Sequence, residues 1–450
     1  MLFAGLCLAA VHAAGRPAQN RTTELAGVLD SIERGYAYRS FDDAAFAILR
    51  KKYLDAASGA LTDRQYIVLL EKLADEFHDD HLQLNTNLSD SYRLVPSQTA
   101  VLAQWQDGKA VVVDVSPFAP PLFQAVTSGA VILRINGIST EAAVEARLQG
   151  HLDRTSPRAR HWALNSVIAG RRGEPTVIEI DSNGIAETIV VPAGEPFARQ
   201  AGGITHCDLG DSHYIRFNDS LGNEAVIGEF SDILKKTGSR KIIIDLRNTP
   251  GGGNSLVARG ILGHFVSEER PYQLHELPAD RTVHGIPRRW QELVSPIRPH
   301  VPSTAEVLVG RWTGSMGEGL ALGFDATEAG HVAGTAMAGL RGATSCVPLP
   351  SLGDGSCLNL PTERLFHVDG TAREHFVPDR PVPDRFADPD ALCADSASGR
   401  LDATRLRATR RGENASPSLH SCAIIWKRTS PRLRFPACRS GICFCGSAAW

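Results

Sequence analysis

The sequence lacks an excess of charge of either sign, because 47 lysine and arginine residues accompany 50 aspartate and glutamate residues. The net charge of −3 gives no reason to expect a nucleic acid or an anionic membrane as a partner. The sequence also lacks an apolar run that could span a bilayer, which takes about 20 residues. Its 43% hydrophobic and 22% charged residues are ordinary for a globular protein, and 450 residues suffice for two or three domains.

Metal-binding patterns are also missing. The nine cysteines include no CxxC pair, and no His/Cys cluster has the spacing of zinc ligands, so we expect neither a metal nor another cofactor. Cys346 and Cys357 flank a turn-rich segment that could close a hairpin. An oxidising compartment would permit a disulfide between them, and two unpaired thiols fit the sequence equally well.

Both ends of the chain differ from its middle. The opening MLFAGLCLAAVHAAG is apolar and ends in small residues, so residues 1–14 resemble a secretory signal peptide, although no Lys or Arg precedes the apolar run. A mis-assigned start or a buried helix are the alternatives. We expect a periplasmic or secreted protein. Residues 387–450 show no periodicity, which predicts a mostly disordered tail.

The middle of the chain divides into three regions. In residues 22–92, two segments place apolar residues at spacings of three and four, which predicts a small helical module. Residues 95–197 predict short strands joined by Asn-Gly and Asp-Gly turns. Within them, GAVILRINGI followed by a helix is similar to the middle of a PDZ domain, and a generic β-rich linker is the alternative. Residues 200–386 alternate strands with helices and predict an α/β core, in which residues 265–300 are a polar surface excursion or lid.

One chemical signal is a strand, a sharp turn and a helix around TGSMGE at residues 313–318. Ser315 at the mouth of the helix would lie beside the free amides of the first turn, which can hold a developing oxyanion. Serine is also a common helix N-cap without any catalytic role.

A second signal is IIIDLRNTPGGG at residues 242–253. It places bare backbone amides at the carboxyl edge of a sheet, where open α/β sheets bind ligands. No Lys-Ser/Thr pair follows the glycines, which argues against a phosphate-binding P-loop. A wide turn without function is the alternative.

Together and in this order, the two segments resemble the tail-specific (C-terminal-processing) and tricorn-like serine protease family, whose members carry D-x-R-x-N-x-G-G and later T-x-S-x-[G/S]-E. The matching residues are Asp245, Arg247, Gly251 and Gly252 in the first motif and Thr313, Ser315, Gly317 and Glu318 in the second. Thr249 departs from the pattern, which has Asn there. The resemblance covers roughly residues 60–385. It implies a crotonase-like ββα superhelix.

By this resemblance Ser315 is the nucleophile, and the oxyanion hole consists of the amide of Met316 with that of Gly251 or Gly252. The lysine base of one branch is absent, because Leu340 occupies its expected position. Arg341 cannot replace it, since a guanidinium stays protonated.

The tricorn-like branch uses a histidine from the N-terminal helical region instead, and His81 in FHDDHLQL occupies the matching position. His78 is a weaker candidate. Glu374, shortly before the final Pro-Asp, is the candidate to orient the imidazole, and Asp80 is a poorer choice because adjacent helical side chains do not face each other. Glu318 fits a structural capping box.

These observations predict an exported serine endopeptidase that acts on peptides or protein tails and that could form oligomers. One alternative is a catalytically inactive protein on the same fold that binds a peptide or a small ligand. A crotonase-type acyl-CoA enzyme is a second alternative, against which the export signal counts.

Overall fold

The computed structural model describes residues 18–123, 125–148, 150–194, 203–238, 240–383, 386 and 392–393. All of them belong to one compact unit. The predicted signal peptide and almost all of the predicted tail lie outside these residues. Among the described residues, no helix combines the length and the apolar character that a membrane span requires.

The first region consists of three helices and a short strand: α1 (Ala18–Gly35), α2 (Asp43–Ala56), α3 (Asp63–Asp75) and β1 (Gln83–Leu84). Helix α2 begins at the N-cap Asp42, whose carboxylate accepts from the amide of Ala45, and α3 begins at a capping box between Thr62 and Gln65. The apolar faces of these helices share a core with Leu358, which lies on the last strand of the described residues. This packing fixes the segment after α3, which carries His81.

The second region is an antiparallel sheet with two helices. Its elements are β2 (Val101–Gln106), β3 (Lys109–Val115), β4 (Val131–Ile135), β5 (Ile138–Ser139), α4 (Thr140–Arg147), α5 (Pro157–Ala169), β6 (Thr176–Ser182) and β7 (Ile185–Val191). The strand order is β2-β3-β4-β6-β7, and β5 pairs with β4. Asn183 and Gly184 both have positive φ at the tip of the β6–β7 hairpin, as its Asn-Gly sequence predicts. The likeness of this region to a PDZ domain stays a prediction.

The third region completes the α/β architecture. Its elements are β8 (Ile204–Leu209), β9 (Ser212–Phe217), α6 (Ala225–Thr237), β10 (Lys241–Asp245), α7 (Ser255–Leu262), β11 (Arg270–Leu277), α8 (Pro278–His284), β12 (Arg288–Val294), β13 (Ala305–Val309), α9 (Met316–Ala326), β14 (Gly330–Gly334), β15 (Ala343–Pro348) and β16 (Cys357–Phe366). The mixed α/β class expected from the sequence is confirmed.

One sheet of this region positions the two motifs. Its order is β14-β13-β10-β9-β8, and the neighbours from β14 to β9 run parallel. Strand β10 is buried on both faces, because Ile242 and Ile244 join one apolar cluster and Ile243 joins another. Since β10 and β13 are adjacent and parallel, the loops that follow their carboxyl ends lie side by side.

The expectation of a surface excursion over residues 265–300 is wrong for β11, whereas α8 and most of β12 lie at the surface. Strand β11 lies between β12 and β16 in a second sheet, and Tyr272 and Gln273 on it are buried. The prolines that suggested a loop occupy permissive positions, since Pro271 lies at a register shift of β11 and Pro278 starts α8.

Of the two alternatives that the sequence left open for Cys346 and Cys357, the structure has the unpaired thiols. Cys346 and Cys357 are both free thiols, although they lie on the paired strands β15 and β16. A disulfide instead joins Cys207 on β8 to Cys393. The spacing of the cysteines gave no indication of this long-range pair.

Candidate active site

The two glycine-containing motifs interlock through backbone contacts. The amide of Gly314 donates to the carbonyl of Thr249 at 2.9 Å, and the hydroxyl of Thr313 donates to the carbonyl of Leu246 at 2.9 Å. A Cβ on Gly314 would lie only 2.7 Å from the carbonyl oxygen of Pro250, so glycine permits this close approach. The serine turn and the glycine loop therefore form one rigid unit.

A buried ion pair supports the base of the glycine loop. The guanidinium of Arg247 contacts the carboxylate of Asp245 at 2.6 Å, and the hydroxyl of Tyr214 donates to the same carboxylate at 2.7 Å. Thr249, the departure from the family pattern, is buried and donates to the carbonyl of Phe217 at 3.0 Å. These bonds satisfy the buried charges and hold the loop against β9.

Ser315 has a strained backbone, with φ 52° and ψ −114°. A positive φ in a residue with a Cβ costs about 1–3 kcal/mol and is typical of functional sites. The amide of Ser315 donates to the carboxylate of Glu318 at 2.8 Å, and α9 begins at the next residue. The turn presents a half-buried serine at the N-terminus of a helix.

The structure brings His81 to Ser315, although 234 positions separate them in the chain. Its Nε2 lies 3.1 Å from Oγ of Ser315, and its Nδ1 lies 2.7 Å from the carbonyl oxygen of Arg341. A carbonyl oxygen only accepts, so Nδ1 carries the ring proton and Nε2 is free to accept one. The amide of His81 is fixed by the carboxylate of Asp79 at 3.1 Å.

The environment keeps this imidazole neutral. Burial lowers the pKa of His81 to about 4, the positive charge of Arg373 acts in the same direction, and the carboxylate of Asp79 opposes them. Burial also raises the pKa of Glu318 to about 7, against the effect of Arg373. At neutral pH the ring is therefore a hydrogen-bond acceptor at Nε2.

Glu374 does not orient the ring, which corrects the expectation from the sequence. The backbone of residues 340–342 occupies the Nδ1 side of His81, so the acceptor is the carbonyl of Arg341. Oε2 of Glu374 is buried without a hydrogen-bond partner among the described residues. The sequence analysis excluded the side chain of Arg341 as a base, and its guanidinium lies over the ring of Tyr38 at 4.8 Å. The backbone carbonyl of Arg341 could not be predicted as the acceptor, because every residue carries a carbonyl.

The glycine loop also requires one correction. The amide of Gly251 donates to the carbonyl of Asp219 at 2.7 Å and is not available to an oxyanion. The amides of Gly252 and Met316 have no acceptor within the described part of the chain. Met316 is the first residue of α9, whose amide has no partner inside the helix.

Neither His78 nor Leu340, which occupies the position expected for a lysine base, contacts the pair of His81 and Ser315 through a hydrogen bond among the described residues. The ring of His78 packs edge-on against Trp162 at 5.2 Å, and Leu340 is buried beside Gly314. Among the residues with described positions, no group of three or more His, Cys, Asp or Glu side chains has a geometry that could hold a metal ion.

Residues 211–382 match the family model described as Peptidase family S41. The matched segment includes both motifs and Ser315. The chain therefore contains an S41 peptidase domain, and it is a serine-type peptidase.

Two solved structures of similar fold match this chain over nearly their whole length. The photosystem II D1 C-terminal processing protease is 16% identical, with a TM-score of 0.52, and the match covers 85% of this chain and 98% of that one. Mature CPAF is 14% identical, with a TM-score of 0.53 and coverage of 88% and 99%. At such identities these likenesses establish the fold alone, and they agree with the architecture expected from the resemblance. No curated protein sequence matches this chain.

Proposed function

We propose that this chain is an exported serine endopeptidase that cleaves peptides or unfolded protein tails through an acyl-enzyme. The observation that carries the proposal is the contact of 3.1 Å between Nε2 of His81 and Oγ of Ser315, with Nδ1 held by a carbonyl oxygen. This is the arrangement of a serine nucleophile with a histidine base.

In the first step Nε2 of His81 takes the hydroxyl proton while Oγ of Ser315 attacks the scissile carbonyl carbon. The amides of Gly252 and Met316 stabilise the oxyanion that forms. When the C–N bond breaks, His81 returns the proton to the leaving amine, and the acyl group stays on Ser315. A water molecule then gives a proton to His81 and attacks the ester carbon. When the bond between that carbon and Oγ of Ser315 breaks, His81 returns the proton to Oγ, which releases the carboxylic acid and restores the serine.

The substrate is proposed to be an extended peptide that adds to a sheet edge. Strand β15 starts two residues beyond Arg341, and among the described strands only β16 pairs with it. Thr344, Ser345 and Cys346 on it are exposed. Such an edge offers main-chain hydrogen bonds to a peptide of any sequence. One protein of similar fold is named for C-terminal processing, which supports protein tails as substrates.

Export is supported by the disulfide between Cys207 and Cys393, because disulfides persist mainly in oxidising compartments. A periplasmic or secreted location would also agree with the apolar residues at the start of the sequence.

The structure offers a matched control for the nucleophile. Oγ of Ser231 lies 2.8 Å from Nε2 of His264, and Nδ1 of His264 lies 2.7 Å from the carbonyl of Pro299. This is again a serine, a histidine and a carbonyl. Ser231, however, lies inside α6, where the helix occupies the backbone amides, so no oxyanion site adjoins it.

A fluorophosphonate probe tests the proposal on the full chain. We expect covalent labelling of the wild type and of Ser231→Ala, and none of Ser315→Ala or His81→Ala. Peptide mapping should place the adduct on Ser315. If the folded wild-type protein were not labelled and did not cleave unfolded casein, the proposal would fail, and a binding protein on the same fold would be favoured.

A further inference from the structure

The carbonyl that contacts His81 belongs to a loop held by a buried arginine. Nη2 of Arg373 donates to the carbonyl of Leu340 at 2.9 Å and to that of Gly342 at 2.8 Å. These residues flank Arg341 on both sides. One guanidinium nitrogen therefore fixes the two peptide groups that determine where the Arg341 carbonyl points.

Glu318 extends this support to the nucleophile. Its Oε2 accepts from the amide of Ser315 at 2.8 Å, and its Oε1 accepts from the amide of Gly339 at 2.9 Å. Nη2 of Arg373 lies 3.9 Å from Oε2 of Glu318, and both side chains are buried. The serine turn and the loop of residues 339–342 are thus connected through one internal carboxylate and one internal guanidinium.

We propose that Arg373 is a positioning residue for the base: it holds the carbonyl of Arg341 against Nδ1 of His81 and so keeps the ring proton on that nitrogen. The inference rests on the proposed function. A neutral imidazole can carry its proton on either nitrogen, and the hydrogen bond at one nitrogen selects the tautomer. With the proton on Nε2, the ring could not accept the hydroxyl proton of Ser315.

A purely structural role explains this arginine less well. Burying a guanidinium carries a desolvation cost, and apolar side chains of similar volume often give equal or greater stability. Nε of Arg373 is moreover buried without a partner among the described residues. The contacts that Arg373 does make converge on the loop facing His81.

The charge of Arg373 has a second, separable effect. It lowers the pKa of His81 in addition to burial. Replacing Arg373 by a neutral residue should therefore raise the pKa of His81 and also that of Glu318, which the same charge lowers. Both changes should move the acid limb of the kcat/KM profile to higher pH. A residue that merely stabilised the fold would lower the melting temperature without moving this limb.

Kinetics on the full chain test the positioning role with Arg373→Met and Arg373→Lys. Losing the two charge-assisted bonds should lower kcat about 10- to 100-fold, with KM changed less than about 3-fold. Lysine keeps the charge, but as a point charge it does not reproduce the planar donor geometry. Arg373→Lys should therefore keep the acid limb close to its wild-type position while kcat stays lowered. In Arg373→Ala, added ethylguanidinium should recover part of the lost kcat.

Arg364→Met is the matched control. Nε of Arg364 donates to the carbonyl of Ala37 at 2.9 Å, and within the described part of the chain Arg364 makes no hydrogen bond to the loop of residues 339–342. Its replacement should leave kcat and the acid limb unchanged. Equal losses in Arg364→Met and Arg373→Met would overturn the proposal.

A readout independent of turnover separates this inference from the proposed function. In protein labelled with ¹⁵N-histidine, nitrogen–proton correlation spectra report the tautomer of each of the 15 histidines, and His81→Ala assigns the signal of His81. We expect the Nδ1-protonated form in the wild type and a mixture of tautomers in Arg373→Met, or in Arg373→Lys if the methionine variant does not fold. An unchanged tautomer in the folded variant would refute the positioning role. A changed tautomer in a protein that the fluorophosphonate does not label would refute only the peptidase activity.

Discussion

The interlocked motifs predict that a single methyl group at Gly314 will impair catalysis. Gly314→Ala adds a Cβ that would lie 2.7 Å from the carbonyl oxygen of Pro250, 3.1 Å from Cδ1 of Leu340 and 3.3 Å from the carbonyl carbon of Pro250. The nearest atom belongs to the backbone and has no rotamer by which to move away. The serine turn and the glycine loop must therefore separate.

The size of the effect follows from the distance that must be recovered. Ordinary contacts of a Cβ begin at 3.4 Å, so the oxygen and the new carbon must part by about 0.7 Å. Ser315 is the next residue, and the glycine loop carries the amide of Gly252. A displacement of about 1 Å between reacting groups can cost about 100-fold in rate, so we expect kcat to fall about 10- to 100-fold.

The assay compares kcat, KM and melting temperature of the wild type, Gly314→Ala and Gly228→Ala. Gly228 lies within α6, and a Cβ there meets nothing within 4 Å. Its replacement should leave kcat unchanged and raise the unfolding free energy by about 0.5–1 kcal/mol. If Gly314→Ala retained the wild-type kcat, the two motifs would not form the rigid unit described above.

Three further predictions concern the dyad, the pH dependence and the disulfide. Ser315→Ala and His81→Ala should each abolish peptide hydrolysis, and the double variant should be no slower than either, because the two side chains act as one unit. Since burial lowers the pKa of His81 to about 4, the imidazole should stay neutral, and able to act as a base, down to about pH 5, which a pH-rate profile measures. The contribution of His81 to the unfolding free energy should fall as pH drops from about 6.5 to 4, where the unfolded chain binds the extra proton. Denaturant titrations of the wild type and of His81→Gln isolate this contribution from that of Glu318, whose raised pKa acts in the opposite direction. Cys207→Ser should lower the unfolding free energy by about 2–5 kcal/mol, with Cys346→Ser as the control for a free thiol.

The sequence predicted the elements whose patterns are local. An apolar run flanked by polar residues identifies β10, and glycines mark both turns that meet at Ser315. The resemblance to a known family then selected His81, which periodicity alone could not have paired with a serine 234 positions away. The class of enzyme could also be predicted from this resemblance, because the order and spacing of the two motifs can be read directly from the sequence.

The parts that the sequence did not predict depend on backbone groups and on long-range packing. Every residue has a carbonyl, so nothing distinguishes that of Arg341 until the fold brings it to Nδ1 of His81. The choice between Gly251 and Gly252 likewise depends on a bond from Gly251 to Asp219. A strand rich in polar residues, such as β11, reads as a loop when its partners lie far away in the chain.

The base is oriented by groups from all three regions of the chain. Asp79, which holds the amide of His81, accepts from the hydroxyl of Tyr36 at 2.7 Å and pairs with Arg158 on α5 at 3.4 Å. The indole of Trp312, three residues before Ser315, donates to the carbonyl of Thr99 at 2.7 Å. The β-rich region therefore touches both the histidine segment and the serine turn. Because these contacts hold both partners of the dyad, we expect a rotation of that region against the α/β core to change the distance between Nε2 and Oγ on which proton transfer depends.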